Sequence, residues 1–235
     1  VQRNGTVIFN GTSAQTVPDG EVFWHFTINS GATVESENVS GAINIWGNFS
    51  NSGTLNAQDG TVRFNGPLNQ DVSGTTTYNN LVVSNANGAD ITSGTHSVKG
   101  ILTMTNGTLT TNNSLVIVSD SDGTGSIAKI EAGANITGDV TVQRYLASAT
   151  AGWRFLTSAC AGQTIADWND ELITTGFTGS DHPAFGWINM YSYDETQGGG
   201  HESTSSYVAP TDTNDALTVG EGFWFYVGGP VTWDT

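Results

Sequence analysis

The segment Gly5-Thr-Val-Ile-Phe-Asn-Gly11 decides the fold, because it returns further along the chain as Gly60-Thr-Val-Arg-Phe-Asn-Gly66. A glutamine follows each copy at the same spacing, at Gln15 and at Gln70. Shorter matches extend the similarity through residue 146. A long inexact repeat of this kind indicates a stack of similar structural units.

Each copy alternates apolar and polar residues over four to six positions and then passes through a turn, as in Thr61-Val-Arg-Phe64 followed by Asn65-Gly66. Asn-Gly pairs mark turns because both residues tolerate a positive φ. Alternation with a period of two buries one face of each strand. We therefore predict an all-β chain in which residues 1–146 form a right-handed parallel β-helix (solenoid), with turns of roughly 18–27 residues. A β-sandwich or a sandwich-like meander is the alternative.

The composition changes at residue 147. Residues 147–235 contain five of the seven Trp and four of the six Tyr. Strands are predicted at Trp153–Ser158, Trp187–Tyr193 and Gly222–Val227, and a short helix at Thr164–Leu172. We therefore predict a second domain, aromatic-rich and of the β-sandwich type, that is incomplete at its C-terminus.

The formal net charge is −16, and it is distributed unevenly. Arg154 is the last basic residue, and eleven acidic residues follow it. Phosphate contacts need clustered Lys and Arg, so this composition argues against nucleic-acid partners and against docking on anionic membranes. The chain has no run of 18 apolar residues, so we predict no membrane insertion. Cys160 is the only cysteine, which rules out a disulfide within the chain.

Motifs from both parts of the chain resemble a known family. Asp139-Val-Thr-Val-Gln-Arg-Tyr145 and the repeats before it are similar to the β-helical parts of large secreted surface proteins of Bacteroidota. Gly152-Trp-Arg-Phe-Leu156, Gly162-Gln-Thr-Ile-Ala-Asp-Trp168 and Gly220-Glu-Gly-Phe-Trp-Phe-Tyr-Val227 also resemble segments of such proteins. The resemblance implies export through the type IX secretion route, an extracellular or cell-surface location, and an adhesive or structural role. It implies no catalytic residues.

Catalytic motifs are missing from the sequence, which has no H-E-x-x-H pair, no G-x-S-x-G elbow and no P-loop. Two acid pairs, Glu35 with Glu37 and Asp120 with Asp122, would each place both carboxylates on one side of a strand. Glycoside hydrolysis uses two carboxylates about 5–10 Å apart, so a hydrolase or lyase is one alternative. A lyase also needs basic groups for an acidic substrate, and the six Lys and Arg are scattered. We therefore predict that the chain is not an enzyme and requires no cofactor.

A calcium site is a further candidate, at Asp120-Ser-Asp-Gly-Thr-Gly125. Carboxylates at alternate positions, here Asp120 and Asp122, suit a hard cation such as Ca²⁺. Turn formation alone accounts for the same sequence. Ca²⁺ is therefore the one candidate cofactor.

Aromatic residues of the second domain are candidates for glycan contact. Trp187, Tyr191 and Tyr193 alternate on one face of a predicted strand. The alternative is that the three rings pack in the core of the domain.

These features lead to one preferred function and one principal alternative. We predict a non-enzymatic extracellular protein with a structural or adhesive role, either the stalk of a surface adhesin or a subunit of an extracellular fibre. Its partners would be other copies of itself or glycans and proteins at the cell surface. The alternative is a carbohydrate-binding module or an accessory domain of a polysaccharide-degrading enzyme.

Overall fold

The structure is a computed structural model that describes residues 4–146, 151–169, 171–197 and 206–228. The chain divides into two compact units, Val1–Tyr145 (unit 1) and Leu146–Thr235 (unit 2). The boundary predicted at residue 147 lies outside the described residues.

Unit 1 is a parallel β-solenoid of about six turns. Each turn has three faces, and successive strands along the chain lie on the first, second and third face in that order. The first face contains β1 (Thr6–Phe9), β4 (His25–Ile28), β7 (Phe49–Asn51), β10 (Gln70–Gly74), β13 (Ala89–Ile91), the second half of β15 (Ile101–Thr110) and β20 (Ala134–Thr137). The second contains β2 (Gln15–Val17), β5 (Thr33–Ser36), β8 (Thr54–Asn56), β11 (Thr76–Tyr78), β14 (His96–Val98), β16 (Leu115–Ile117) and β21 (Val140–Val142). The third contains β3 (Val22–Phe23), β6 (Ala42–Ile45), β9 (Thr61–Phe64), β12 (Asn80–Ser84), the first half of β15 and β19 (Ser126–Ile127).

The strand register confirms the predicted parallel solenoid. On the first face Thr6 pairs with His25 of the next turn, and Phe26 in turn pairs with Phe49 of the turn after that. The longest turn among the described residues, from Leu109 to Ile136, includes an antiparallel hairpin of β17 (Ser119–Asp120) and β18 (Gly123–Thr124). The spacing of these partners along the chain agrees with the turn length expected from the sequence.

The sequence repeat is out of phase with the turns of the solenoid. The first copy forms β1 on the first face, whereas the second forms β9 on the third face, eight strands later. Three strands make a turn, so the repeat spans two and two-thirds turns. What the copies share is the following corner, where the Gly11 N–H donates to Gln15 Oε1 at 2.8 Å. In the second copy the Gly66 N–H donates to Gln70 Oε1 at 3.0 Å. The repeat therefore encodes a strand and its corner, not a complete turn.

The core of unit 1 contains a continuous column of rings. Neighbouring ring centroids are 4.9–6.4 Å apart along the series Phe9, Phe26, Phe49, Phe64, Tyr78 and His96. Aromatic pairs at such distances contribute about 0.5–1.5 kcal/mol each beyond the burial of their area. The column is therefore a substantial part of what holds successive turns together.

Unit 2 contains an antiparallel sheet with the order β22-β25-β23-β24. Its strands are β22 (Gly152–Leu156), β23 (Met190–Tyr193), β24 (Tyr207–Val208) and β25 (Phe223–Val227), and a 3-10 helix spans Ile165–Asp167. Three of these strands and the helix fall where the sequence predicts them, with shorter bounds. A second sheet of the kind a sandwich requires is not among the strands of the described residues, so the sandwich stays a prediction.

Candidate functional site

The two sides of the unit 2 sheet carry different sets of apolar side chains. In β25 the side chains of Phe223 and Phe225 are buried, and Trp224 and Tyr226 point to the opposite side. The buried side packs into the core of unit 2, which consists of Ile165, Leu172, Phe177, Met190, Leu217, Phe223 and Phe225. The core therefore accounts for only one of the two faces of the sheet.

The opposite side is a continuous surface of rings, named here the aromatic face. Its members are Trp153, Phe155, Trp187, Tyr191, Tyr193, Tyr207, Trp224 and Tyr226, all linked by ring contacts. Pairing across the strands creates it, because Phe155 and Tyr191 both lie opposite Trp224. The Phe155 and Trp224 rings are stacked with centroids 5.2 Å apart, and Phe155 is 78% exposed. Cross-strand aromatic pairs thus hold the rings in place and leave four of them exposed, whereas the other four are partly buried: Tyr191, Tyr207, Trp224 and Tyr226.

A groove of about 470 Å³ opens on the aromatic face. Its lining residues are Phe155, Tyr191, Ser192, Tyr193, Tyr207, Glu221, Gly222 and Trp224. A Cβ atom placed on Gly222 would meet no other atom within 4 Å, so the missing side chain helps to leave the groove open.

Among the described residues, Glu221 is the only charged one in the lining of the groove. It is exposed, and no Lys, Arg or His lies among the described residues that line the groove. The groove is therefore electronegative, which disfavours an anionic ligand.

The structure brings together the three residues predicted for glycan contact. Tyr191 and Tyr193 lie in β23, and Trp187 precedes that strand and contacts Tyr226 with a centroid distance of 4.9 Å. None of the three belongs to the buried core of unit 2. The sequence prediction missed the five other rings of the aromatic face. The alternation within β22 and β25 groups Trp153 with Phe155 and Trp224 with Tyr226, but Tyr207 lies in β24, and only the strand pairing brings these rings together.

The calcium candidates lie in the β17–β18 hairpin, where Asp120 already has several partners. Asp120 Oδ1 accepts the backbone N–H groups of Asp122 and Gly123 at 2.9 and 3.2 Å, and Oδ2 is 2.9 Å from Lys99 Nζ. The hydrogen bond from Lys99 holds the pKa of the Asp120 carboxyl below its ordinary value. Among the residues the structure describes, no group of three or more His, Cys, Asp or Glu could hold a metal ion. The contacts of Asp120 are those of a turn, and calcium binding there stays a prediction.

The acid pair Glu35 and Glu37 does not share one strand. Glu35 lies within β5, whereas Glu37 follows the end of that strand. The Glu37 N–H donates to the Val17 carbonyl at 2.8 Å. The burial pattern nevertheless still alternates through this segment, with Ser36 buried between the two more exposed glutamates, so both carboxylates leave the same side of the chain.

A second groove, of about 410 Å³, lies on the first face of unit 1 and is mainly polar. Some of its polar groups bond to one another: the backbone N–H of Asn48 donates to His25 Nδ1 at 2.9 Å, and Asn48 Nδ2 donates to Asp71 Oδ2 at 3.1 Å. These bonds occupy His25, Asn48 and Asp71 within the solenoid, so the aromatic face is the stronger candidate site.

Tyr78 and His96 form a buried polar pair inside unit 1. His96 Nε2 lies 3.3 Å from the Ser93 carbonyl, which can only accept, so Nε2 carries the proton. Nδ1 then accepts the hydroxyl proton of Tyr78, at 2.9 Å. Burial lowers the pKa of His96 and raises the pKa of Tyr78. The pair is consequently neutral in the folded protein near pH 7.

Comparison of the chain with protein-family models, with curated proteins and with solved structures finds no match. Within the described ranges, no helix has the length and apolar character needed to span a bilayer. The aromatic face is accordingly interpreted from its own geometry.

Proposed function

We propose that this chain is a non-enzymatic, extracellular adhesive protein that binds glycans through the aromatic face of unit 2. The observation that carries the proposal is the set of eight rings on the side of the sheet that faces away from the core. Large exposed apolar patches generally mark interaction sites. The extracellular location is supported by the resemblance of the sequence to secreted surface proteins of Bacteroidota.

Sugars suit this surface because each pyranose ring offers an apolar C–H side and a rim of hydroxyl groups. An aromatic ring packs against the C–H side, while polar groups at its edge bind the hydroxyls. The groove supplies both kinds of group, since Glu221 and Ser192 lie beside the rings of Trp224 and Tyr207.

Binding without hydrolysis is supported by the polar groups of the groove. In the part of the chain that the structure describes, Glu221 is the only carboxylate that lines the groove. Hydrolysis of a glycosidic bond uses two carboxyl groups flanking the bond. A single carboxylate can accept hydrogen bonds from a sugar but cannot fill both catalytic roles.

A glycan array probed with the full chain tests the proposal, with Trp224→Ala as the variant. Trp46→Ala is the matched control, because Trp46 is a 39% exposed tryptophan of unit 1. We expect the wild-type chain to bind a subset of glycans and Trp224→Ala to lose about tenfold or more in affinity, whereas Trp46→Ala keeps it. Absence of glycan binding, or an equal loss in both variants, would contradict the proposal.

Fibre formation by unit 1 is a second candidate, favoured by the strands at the two ends of the solenoid. Within the described residues β1 pairs only with β4, and its Val7 and Ile8 are 42% and 53% exposed. In the last turn Ile127 and Val142 are 37% and 40% exposed. Open strand edges with apolar side chains can pair with another copy of the chain. Sedimentation velocity tests this: association that Ile8→Lys suppresses would support it, and a monomer at every concentration would refute it.

A further inference from the structure

We propose that the groove of the aromatic face selects a protonated amine carried by the glycan, so that its preferred ligand contains 2-amino-2-deoxyhexose units. This inference rests on the proposed glycan binding and names the chemical class of the sugar. The described residues of the groove supply several aromatic walls, one carboxylate and no basic group.

The walls of the groove match the chemistry of an organic cation. Five rings line it, including Trp224, whose indole is the best cation–π partner among the aromatic side chains. Tyr207 contacts Trp224 with a centroid distance of 5.4 Å, and Tyr193 contacts Tyr207 at 5.4 Å. Rings so closely spaced allow one ammonium group to approach more than one ring within about 6 Å of its centroid.

Charge complementarity favours the same ligand. Glu221 places a negative charge in the lining, and none of the described residues that line the groove is Lys or Arg. A protonated amine gains from this field, a neutral sugar is indifferent to it, and a uronic acid or a sulfated sugar is repelled. Among glycans, the amino sugars are therefore the class that this groove fits best.

The remainder of the aromatic face argues for a glycan as the carrier of the amine. Trp153, Trp187 and Tyr226 form a second ring cluster that does not line the groove. Trp153 connects the two parts through contacts with Trp224 and Tyr191, at 5.3 and 6.0 Å. A small ammonium ion would use only the groove, whereas a chain of sugar units can place the next pyranose ring on the second cluster.

Three β-1,4-linked hexasaccharides that differ only at C2 test the inference: glucosamine (amine), N-acetylglucosamine (amide) and glucose (hydroxyl). We expect the full chain to bind the glucosamine hexamer about fivefold more tightly than the glucose hexamer at low salt, the ratio that one carboxylate near an ammonium provides. The advantage should disappear at high salt, because exposed charges are screened. Calorimetry or surface plasmon resonance measures both.

Two substitutions locate the selectivity in the groove. Glu221→Gln should reduce the ratio of glucosamine to glucose affinity to about one, whereas Glu171→Gln, an exposed acid of unit 2 outside the groove lining, should leave the ratio unchanged. Gly222→Leu should fill the groove and abolish glucosamine binding, and circular dichroism checks that each variant is folded.

The possible failures are distinguishable. Equal affinity for the three hexamers, or selectivity that survives Glu221→Gln, overturns the inference and leaves glycan binding standing. A lysine hexapeptide that binds as tightly as the glucosamine hexamer overturns the sugar as the carrier of the amine. Failure of every glycan on the array removes the proposed function together with the inference.

Discussion

Replacing Gln70 by methionine should destabilise unit 1 far more than the same change at Gln15, although both residues occupy the same place in the sequence repeat. Gln70 is fully buried, and its Oε1 accepts from the Gly66 N–H and from Asn85 Nδ2, at 3.0 and 2.9 Å. Its Nε2 donates to the carbonyls of Ile45 and Gly47, at 2.9 and 2.7 Å. Gln15 takes part in a single bond of this type, from the partly buried Gly11 N–H.

The size of the effect follows from the groups left without partners. The Ile45 carbonyl keeps a second donor, the Asn65 N–H, so the Gly66 N–H, the Gly47 carbonyl and one Asn85 N–H lose their bonds. A buried polar group left unpaired costs about 1–3 kcal/mol, which puts the loss for Gln70→Met at about 4 kcal/mol. Methionine has nearly the volume of glutamine, so no cavity adds to this figure. Water can replace the one bond lost in Gln15→Met, for which we expect about 1 kcal/mol or less.

Urea denaturation of the full chain measures the difference, with hydrogen exchange of peptides from β6 to β10 reporting on unit 1. For a urea slope of about 2 kcal/mol per molar, the unit 1 midpoint should fall by about 2 M in Gln70→Met and by about 0.5 M or less in Gln15→Met. Equal midpoints for the two variants would refute the conclusion that Gln70 secures three turns while Gln15 closes one corner.

Three further predictions concern unit 1. Burial lowers the pKa of His96, so the unfolded chain binds the His96 proton at a higher pH than the folded chain does. Unit 1 should therefore keep its full stability above about pH 6.5 and lose stability as the pH falls from there toward 5. Urea midpoints at pH 7.5 and 5.0 measure this, and a drop as steep in His96→Gln as in the wild type would assign it to other groups. Gly74 and Gly20 both have a positive φ, but a Cβ on Gly74 would overlap the Asn51 carbonyl, whereas one on Gly20 would meet no atom within 4 Å. Gly74→Ala should therefore lower the melting temperature severalfold more than Gly20→Ala does. Comparable losses in the two variants would contradict this packing. Both carboxylate oxygens of Asp120 already have partners, so we expect the chain to have the same melting temperature in Ca²⁺ as in a chelator. A higher melting temperature in Ca²⁺, lost in Asp122→Asn, would establish the predicted metal site.

The alternation of residues in the first 146 positions predicts strands with one buried, apolar face, and the long repeat favours stacking them as a solenoid over a sandwich. The strand Thr61–Phe64 shows this, with Val62 and Phe64 buried and Thr61 and Arg63 more exposed. The phase of the repeat could not be predicted. A strand followed by an Asn-Gly corner and a glutamine is a local unit, and its two copies form different corners of the solenoid, β1 to β2 and β9 to β10.

The aromatic face was predicted only in part because both sides of the unit 2 strands are apolar. In Phe223-Trp-Phe-Tyr-Val227 the alternation separates two faces, but it does not say which of them packs in the core. The three residues assigned from one predicted strand lie on the exposed side, and their partners come from β22, β24 and β25, distant in sequence. Pairing between strands, which a single sequence does not reveal, is what assembles the site.

Hydroxyl-radical footprinting shows most directly whether glycans bind to the aromatic face of unit 2. The full chain is oxidised with and without a saturating glycan selected on the array. Phe155 and Trp224 line the groove, and Trp46 is an exposed ring of unit 1. We expect the glycan to reduce the oxidation of Phe155 and Trp224 and to leave the oxidation of Trp46 unchanged. Protection of Trp46 with unchanged oxidation of Phe155 and Trp224 would contradict it.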